Sequence, residues 1–369
     1  MNTKEQRNSI GIWWDIKKDG SKLPKVSLDI NVWNTIKTHD VDYIEFGIKI
    51  DNYSNFKKLN IFLPYQFNLE DVEDKSNCFG SKLFVSALFN EKVTITNGSG
   101  SQTTIKREDG KEFCVYKPKI RVKEQILSIL PTDIQGVETV YYRIRINKLD
   151  NIFTRIKDNN FFLEGLFKDV GFVEFDINIH RRLPEIIADE LSKKDFCFES
   201  IKFFYMTDTN TNIVYQSLPN NNSRLLEKHI WGDYLTKQNG KDVNKQKIIA
   251  LFWKKTKEKN KKISDFNLFL KLSFTLRSNL ALFVAIITLL ILGMVSGLLG
   301  NYLTDFIKYM FFDGNENWIQ WKTFIWMISI ILVILPLTFY LVKKLYNVLK
   351  KLKRWSMQFY NCLKGEYKK

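Results

Sequence analysis

Two long segments without a charged side chain limit what this chain can fold into. They cover residues 278–304 and 323–342, which are 27 and 20 positions long. A helix of about 20 apolar residues crosses the roughly 30 Å hydrocarbon core of a bilayer. A buried helix of a soluble protein would keep a polar stripe, and neither segment has one. We therefore expect a C-terminal two-helix transmembrane hairpin, with residues 305–322 as its external loop.

The charges that flank the hairpin predict its orientation. Residues 241–277 carry 11 basic and 3 acidic side chains, residues 343–369 carry 9 and 1, and the loop 305–322 carries 2 and 3. Lys and Arg accumulate on the cytoplasmic flanks of membrane helices. Both termini are therefore expected in the cytoplasm, and the N-terminal sequence shows no apolar core typical of a signal peptide.

The distribution of charge along the chain gives little support for a nucleic-acid-binding protein. The formal net charge is +16, but residues 1–240 hold 34 basic and 33 acidic side chains. The excess positive charge thus lies beside the membrane, where it favours anionic lipid as a partner. Overall charge is no argument for nucleic-acid binding here, and only a local patch would be one.

Most of residues 1–240 is typical of β-strands. Apolar and polar residues alternate, with many β-branched and aromatic side chains, in seven segments: 25–33, 41–50, 92–97, 117–123, 141–147, 173–179 and 212–218. The pattern predicts a mainly β soluble domain of the antiparallel sandwich or barrel type, with a few helices, such as those expected over 183–194 and 222–235.

We therefore divide the chain into a cytosolic sensor or binding domain and a membrane module. The domain covers residues 1–240, with a possible seam near 131–136. Residues 241–277 are expected to form a basic connector and a pre-membrane helix. After the hairpin, residues 343–369 place apolar side chains along one stripe and lysines elsewhere, which predicts a basic amphipathic cytosolic helix.

The sequence contains no recognisable catalytic motif. A dinucleotide fingerprint, a P-loop and a nucleophile elbow are all missing, and four scattered cysteines with three histidines offer no metal spacing. We expect no catalytic residue, no metal and no cofactor, so a binding protein is favoured over an enzyme.

Basic residues at alternate strand positions suggest a site for an anionic ligand. Side chains two residues apart on a strand point to the same side. The candidate ligand-binding residues are Lys117, Lys119, Arg121, Lys123, Tyr141, Arg143, Arg145, Arg181 and Arg182. Arg suits phosphate, and Tyr141 offers a plane for a base. The alternative is an ordinary solvated face, or a basic strand that protects a sheet edge.

Small and weakly polar residues mark the first membrane segment. Gly293, Gly297 and Gly300 allow close helix packing, either within the hairpin or between subunits. Thr288, Ser296 and Asn301 are the available polar pore liners. Two helices cannot enclose a pore, so a channel requires a homo-oligomer.

Four features together suggest a family. They are the run GMVSGLLGN at residues 293–301, the β-rich domain, the two-helix module and the lack of enzyme motifs. In organisation the chain resembles the channel-forming membrane effectors of bacterial anti-phage defence systems, above all the Hailong-type effector. The resemblance concerns the architecture of the whole chain and transfers no individual residue. It implies an inner-membrane channel whose cytosolic domain binds a single-stranded DNA signal, made by a nucleotidyltransferase encoded alongside.

Three hypotheses follow. The first is an oligomeric channel or pore, gated by a cytosolic domain that binds a nucleotide or a short single-stranded oligonucleotide. The second is a membrane-tethered interaction scaffold without pore activity. The third is a membrane-bound hydrolase of an unrecognised kind.

Overall fold

The computed structural model describes residues 8–17, 22–34, 43–97, 103–132, 134, 136–147, 168–235, 247–258, 262–275 and 279–312. The predicted second membrane helix (323–342), the amphipathic helix (343–369) and loop residues 313–322 lie outside these ranges. Contacts divide the chain into two units. One contains residues 1–157 and 170–274, and the other contains residues 158–169 and 275–369.

The described part of the chain is mainly β, as the alternation predicts. Numbered along the chain, the strands are β1 (Gly11–Ile16), β2 (Lys25–Asn34), β3 (Tyr43–Asp51), β4 (Phe56–Phe62), β5 (Val72–Asp74), β6 (Val93–Asn97), β7 (Thr103–Arg107), β8 (Glu112–Val115), β9 (Lys119–Lys123), β10 (Ile126–Leu130), β11 (Thr139–Ile146), β12 (Lys168–Ile177), β13 (Phe198–Asp208), β14 (Thr211–Gln216), β15 (Asn222–Leu225), β16 (Ile248–Thr256) and β17 (Phe266–Thr275).

The helices of the described residues are fewer. The α-helices are α1 (Lys82–Phe89), α2 (Glu185–Ser192), α3 (Lys228–Leu235) and α4 (Asn279–Phe312), and short 3₁₀ turns cover Tyr53–Asn55, Leu69–Asp71, Ser76–Gly80 and His180–Arg182. The helix expected over 222–235 begins only at Lys228, because residues Asn222–Leu225 pair with β16 as a strand. No helix in the described ranges qualifies as a candidate membrane span when its length, hydropathy and charge are taken together.

Three sheets make up the β-rich unit. The large sheet has the order β15-β16-β13-β2-β3-β11-β8-β7-β6, with β5 paired to β11. A four-stranded sheet has the order β1-β4-β10-β9, and a three-stranded sheet has the order β12-β17-β14. The predicted β-rich domain is confirmed, but its pairing is mixed, because β13 pairs with β2 and β11 pairs with β8 in parallel. Parallel partners need long crossover connections, and the chain between β2 and β13 is long enough to supply one.

The two faces of the large sheet are both covered. On one face, alternate residues of β2, β3 and β11 join side chains of the two smaller sheets in the principal core. On the other face, the central strands pack against α1, α3 and the turn at Ser76–Gly80 in a second, aromatic-rich core. A central strand of this sheet is thus buried on both sides. Successive side chains of such a strand therefore point alternately into the two hydrophobic cores, and neither face meets solvent.

Most described residues of the segment expected to be a basic connector with a pre-membrane helix instead belong to the sheets. Residues 248–256 and 266–275 form β16 and β17, so the β-rich unit extends past residue 240 to Phe274. Ile248, Ala250 and Trp253 are buried, and the lysines lie at the end of the strand. Hydrophobic burial of this run outweighs its high charge. The seam suggested near 131–136 is no boundary, since both sides belong to one unit.

Candidate functional site

A buried ion network lies on the second face of the large sheet. Arg143 donates to Glu45 Oε2 (2.5 Å), and Arg145 donates to Glu45 Oε1 (2.8 Å). Tyr234 of α3 also donates to Glu45 Oε1 (2.6 Å). Both guanidinium groups and the carboxylate are at most 1% exposed. Two cations therefore share one anion away from water.

Strand register brings these residues together. Glu45 lies opposite Arg145 on one side and Asn31 on the other, and Gly47 lies opposite Arg143. The missing side chain of Gly47 is required, because a Cβ there would lie 2.0 Å from the Tyr141 hydroxyl. That hydroxyl accepts a hydrogen bond from Arg143 (3.3 Å). Gly47 thus makes room for the tyrosine on the neighbouring strand.

Electrostatics keep Glu45 ionised. Burial alone would raise its pKa, but the charges of Arg143 and Arg145 and the hydrogen bonds from Tyr234 and Arg145 lower it from 4.5 to about 2. Burial raises the pKa of Tyr234, which keeps the phenol neutral and able to donate. The Arg145 guanidinium also lies 4.0 Å from the centre of the Tyr43 ring, within cation–π range.

A cleft of about 230 Å³ opens beside this network. Its floor is formed by neighbouring strands of the large sheet, and its walls are the end of α1, strand β15 and helix α3. The lining residues are Asp29, Asn31, Leu88, Phe89, Asn90, Arg143, Lys202, Phe204, Met206, Asn222, Ser223, Arg224, Trp231, Ala250 and Phe252. Arg143 is paired with Glu45 and Lys202 with Asp29, so Arg224 is the lining cation that favours an anionic ligand.

The sequence-based candidates do not form one site. Tyr141, Arg143 and Arg145 share a face, as alternation requires, but they are 1%, 0% and 0% exposed. The expectation that they form an exposed ligand-binding ridge is therefore wrong, because helices α1 and α3 cover that face. Of the three, only Arg143 lines the cleft.

The other basic candidates lie elsewhere. Lys117, Lys119, Arg121 and Lys123 are exposed on or next to β9, the last strand of the four-stranded sheet among the described residues. This position fits the alternative of a protected sheet edge. Arg181 is exposed, whereas Arg182 pairs with Glu174 and Asp176 (both 2.6 Å). Its charge is already balanced.

Sequence reasoning missed most of the cleft. Lys202, Phe204, Arg224 and Phe252 come from three strands that meet only through pairing, and Trp231 comes from helix α3. The one local signal is the aromatic content of β13 and β16. A comparison with models of protein families gave no match, and no curated protein is detectably similar to the chain.

Proposed function

We propose that this protein is an oligomeric inner-membrane effector, in which a β-rich cytosolic domain of the sandwich type binds a nucleotide or oligonucleotide signal and gates a channel. Anti-phage defence is the biological setting that the architectural resemblance favours. The observation that carries the proposal is the character of α4, which follows β17 directly in the chain.

Helix α4 supports membrane association. Its 34 residues correspond to about 50 Å of helix. The part of α4 before Asp305 contains no charged residue. Large apolar side chains are 45–63% exposed at Ile286, Leu289, Leu290, Met294, Leu298, Tyr302, Leu303 and Ile307. An apolar surface of this extent is costly in water and is typical of contact with lipid or another protein. The helix continues past Thr304, so residues 305–312 are helical and not loop.

The glycines of α4 support helix–helix association. Nothing among the described residues lies within 4 Å of a Cβ built at Gly293, Gly297 or Gly300. These positions therefore offer a smooth surface for a further helix, from the hairpin or from a second copy. Ser296 and Asn301 are exposed and remain proposed pore liners, while the side chain of Thr288 lies outside the described part.

The charge distribution supports a location in the bacterial inner membrane with both termini on the cytoplasmic side. The β-rich unit and its cationic cleft would then face the cytoplasm, where a nucleotidyltransferase encoded alongside would supply the signal. No catalytic role is proposed for any residue.

A scaffold without pore activity is the second candidate. The observation that favours it is the exposed basic strand β9 at the end of its sheet, which offers an edge to an acidic partner strand.

Reconstitution tests the proposal. The full-length protein would be purified in mild detergent, its oligomeric mass measured, and its ion flux followed in liposomes. A closed oligomer that conducts supports the channel. A chain that pellets with liposomes as a monomer or dimer without flux would favour the scaffold, and a chain that leaves the lipid fraction would contradict both.

Substitutions that add side-chain volume at the glycines of α4 test the proposed helix packing more directly. Gly293→Leu or Gly297→Leu should abolish flux, because the added side chain separates helices that approach closely. The matched control is Met294→Leu, which preserves apolar volume on the same helix and should conduct like the original protein. Normal flux from both glycine variants would contradict the packing scheme.

A further inference from the structure

Strand register places an aromatic pair between charged groups in the cleft of the large sheet. Phe204 and Phe252 lie opposite each other on β13 and β16, with ring centres 4.6 Å apart and planes 17° apart. Both rings are only partly buried, and both line the cleft. A pair of parallel rings that stays partly accessible on a cleft floor is a surface on which a planar ligand can pack.

One end of the cleft carries a cation that lacks a carboxylate partner. Arg224 lies opposite Ala250, two residues from Phe252 on the same face, at a spacing of about 7 Å. It donates to Asn90 Oδ1 (3.0 Å) and to the carbonyl of Ala87, and no carboxylate of the described residues lies within ion-pair distance of it. Burial lowers the pKa of Arg224, and the charge of the more distant Glu227 opposes this shift only in part. An anionic group of a ligand would balance the charge of Arg224.

The opposite end carries groups that suit hydrogen-bonding atoms. Lys202 and Asp29 lie side by side on paired strands, and Lys202 Nζ is 3.2 Å from Asp29 Oδ1. Elsewhere in the lining, the indole nitrogen of Trp231 is buried and has no hydrogen bond among the described residues. A buried polar atom without a partner costs about 1–3 kcal/mol. A ligand acceptor at the indole nitrogen would relieve this cost, while Lys202 and Asp29 can donate to and accept from the same ligand.

The size of the cleft limits the ligand. About 230 Å³ is below the range of roughly 300–1,000 Å³ usual for drug-sized pockets. Oligonucleotide-binding surfaces instead follow a backbone over about 4–16 nucleotides per fold. The dimensions therefore favour one nucleotide unit over a strand.

From these observations we propose that the cleft is the signal site and binds a single nucleotide-sized ligand. The base lies on the Phe204–Phe252 pair, the phosphate lies at Arg224, and hydroxyl or amino groups lie at the Lys202–Asp29 end. This assignment rests on the proposed function in so far as the β-rich unit is its signal-binding part. It narrows the signal from any nucleotide or oligonucleotide to a monomeric one.

Calorimetric titration of the full-length protein in detergent tests the site. The probes are AMP, GMP, CMP and UMP, together with ribose 5-phosphate and the nucleoside of each, as the parts of each monophosphate. At least one monophosphate should bind with a Kd below about 1 mM, and its parts should bind about tenfold or more weakly. Arg224→Gln and Phe252→Leu should each weaken binding about tenfold, whereas Lys262→Gln, at a mostly exposed ion pair outside the cleft, should not.

Several results would overturn the assignment. The first is that none of the four monophosphates binds. The second is that Phe252→Leu binds with full affinity. The third is that a ten-nucleotide oligothymidylate binds more tightly than the monophosphates and that this binding depends on Phe252. If Arg224→Gln does not fold, Arg224→Lys keeps the charge and should retain binding, so its complete loss of affinity would also count against the site. Flux in liposomes is measured separately. Flux without nucleotide binding contradicts this site alone, and binding without flux contradicts the channel alone.

Discussion

Replacement of Glu45 by Gln should destabilise the β-rich unit severely, although the two side chains have nearly the same shape. The carboxylate is the shared anion of two buried guanidinium groups and also accepts from Tyr234. An amide removes the negative charge and directs its own N–H groups towards donors. Arg143 and Arg145 then remain buried without a counterion.

The expected magnitude follows from the cost of an unpaired buried charge. Breaking a buried ion pair by removing one partner costs about 3–5 kcal/mol. For a unit of this size each kcal/mol lowers the midpoint of thermal unfolding by about 2–4 °C, so a fall of about 10 °C is expected. The matched control is Asp195→Asn. The Lys262–Asp195 pair is 66% and 83% exposed, so its loss should cost about 1 kcal/mol or less.

Thermal unfolding followed by tryptophan fluorescence is a suitable assay. Trp33 and Trp231 lie in the core next to the network, with ring centres 5.7 Å apart. Their fluorescence emission should therefore change when this core unfolds. The full-length protein in detergent would be compared with the two variants at pH 7. If Glu45→Gln shifts the midpoint no more than Asp195→Asn, then Glu45 does not compensate both arginines and the reasoning fails.

Three further predictions follow from the same face of the sheet. Gly47→Ala should cost about 2 kcal/mol or more, because its Cβ would meet the Tyr141 hydroxyl; Tyr141→Phe should relieve part of that loss in a double-mutant cycle, and strict additivity would contradict the contact. Because the pKa of Glu45 is lowered from 4.5 to about 2, its contribution, on the order of 3 kcal/mol, is complete above about pH 4.5 and is lost as the pH falls towards 2. The difference in unfolding midpoint between Glu45→Gln and the original protein should therefore shrink below pH 4.5, and a constant difference down to pH 3 would argue against this pKa. Charge reversal of Arg143 and Arg145 together should prevent folding, which a soluble, cooperatively unfolding double variant would disprove.

The strands were predictable because their pattern is local. Each of the seven alternating segments corresponds to a strand, with ends displaced by a few residues. A period of two requires only that the two faces of a strand differ, and this is true whether the second face meets solvent or another layer. The mixed pairing was not predictable, since no short segment records which distant strand lies beside it.

The segment 241–277 shows how charge can hide a strand. Its lysines suggested a tether, yet Ile248, Ala250 and Trp253 supply enough apolar surface to place β16 inside the large sheet. Lys254 is exposed and Lys255 reaches Asp265 (2.9 Å), so neither charge is forced into the core. A net charge averaged over a segment says little about a strand whose charges lie at one end.

The burial of Arg143 and Arg145 could not be read from their own strand, because a basic face looks the same whether it meets water or an opposite charge. The decisive residue is Glu45, almost a hundred positions earlier, which is the charged residue among the six buried positions that begin β3. An isolated acid in such a strand requires a buried partner. Only the register of β3 and β11 makes Arg145 that partner, and the separate pairings of β13, β16 and β15 place the aromatic pair and Arg224. Arg143 belongs both to the network and to the lining of the cleft, so the alignment of β3 and β11 fixes that part of the cleft. A one-residue slip of β3 would move Glu45 into the opposite, apolar core.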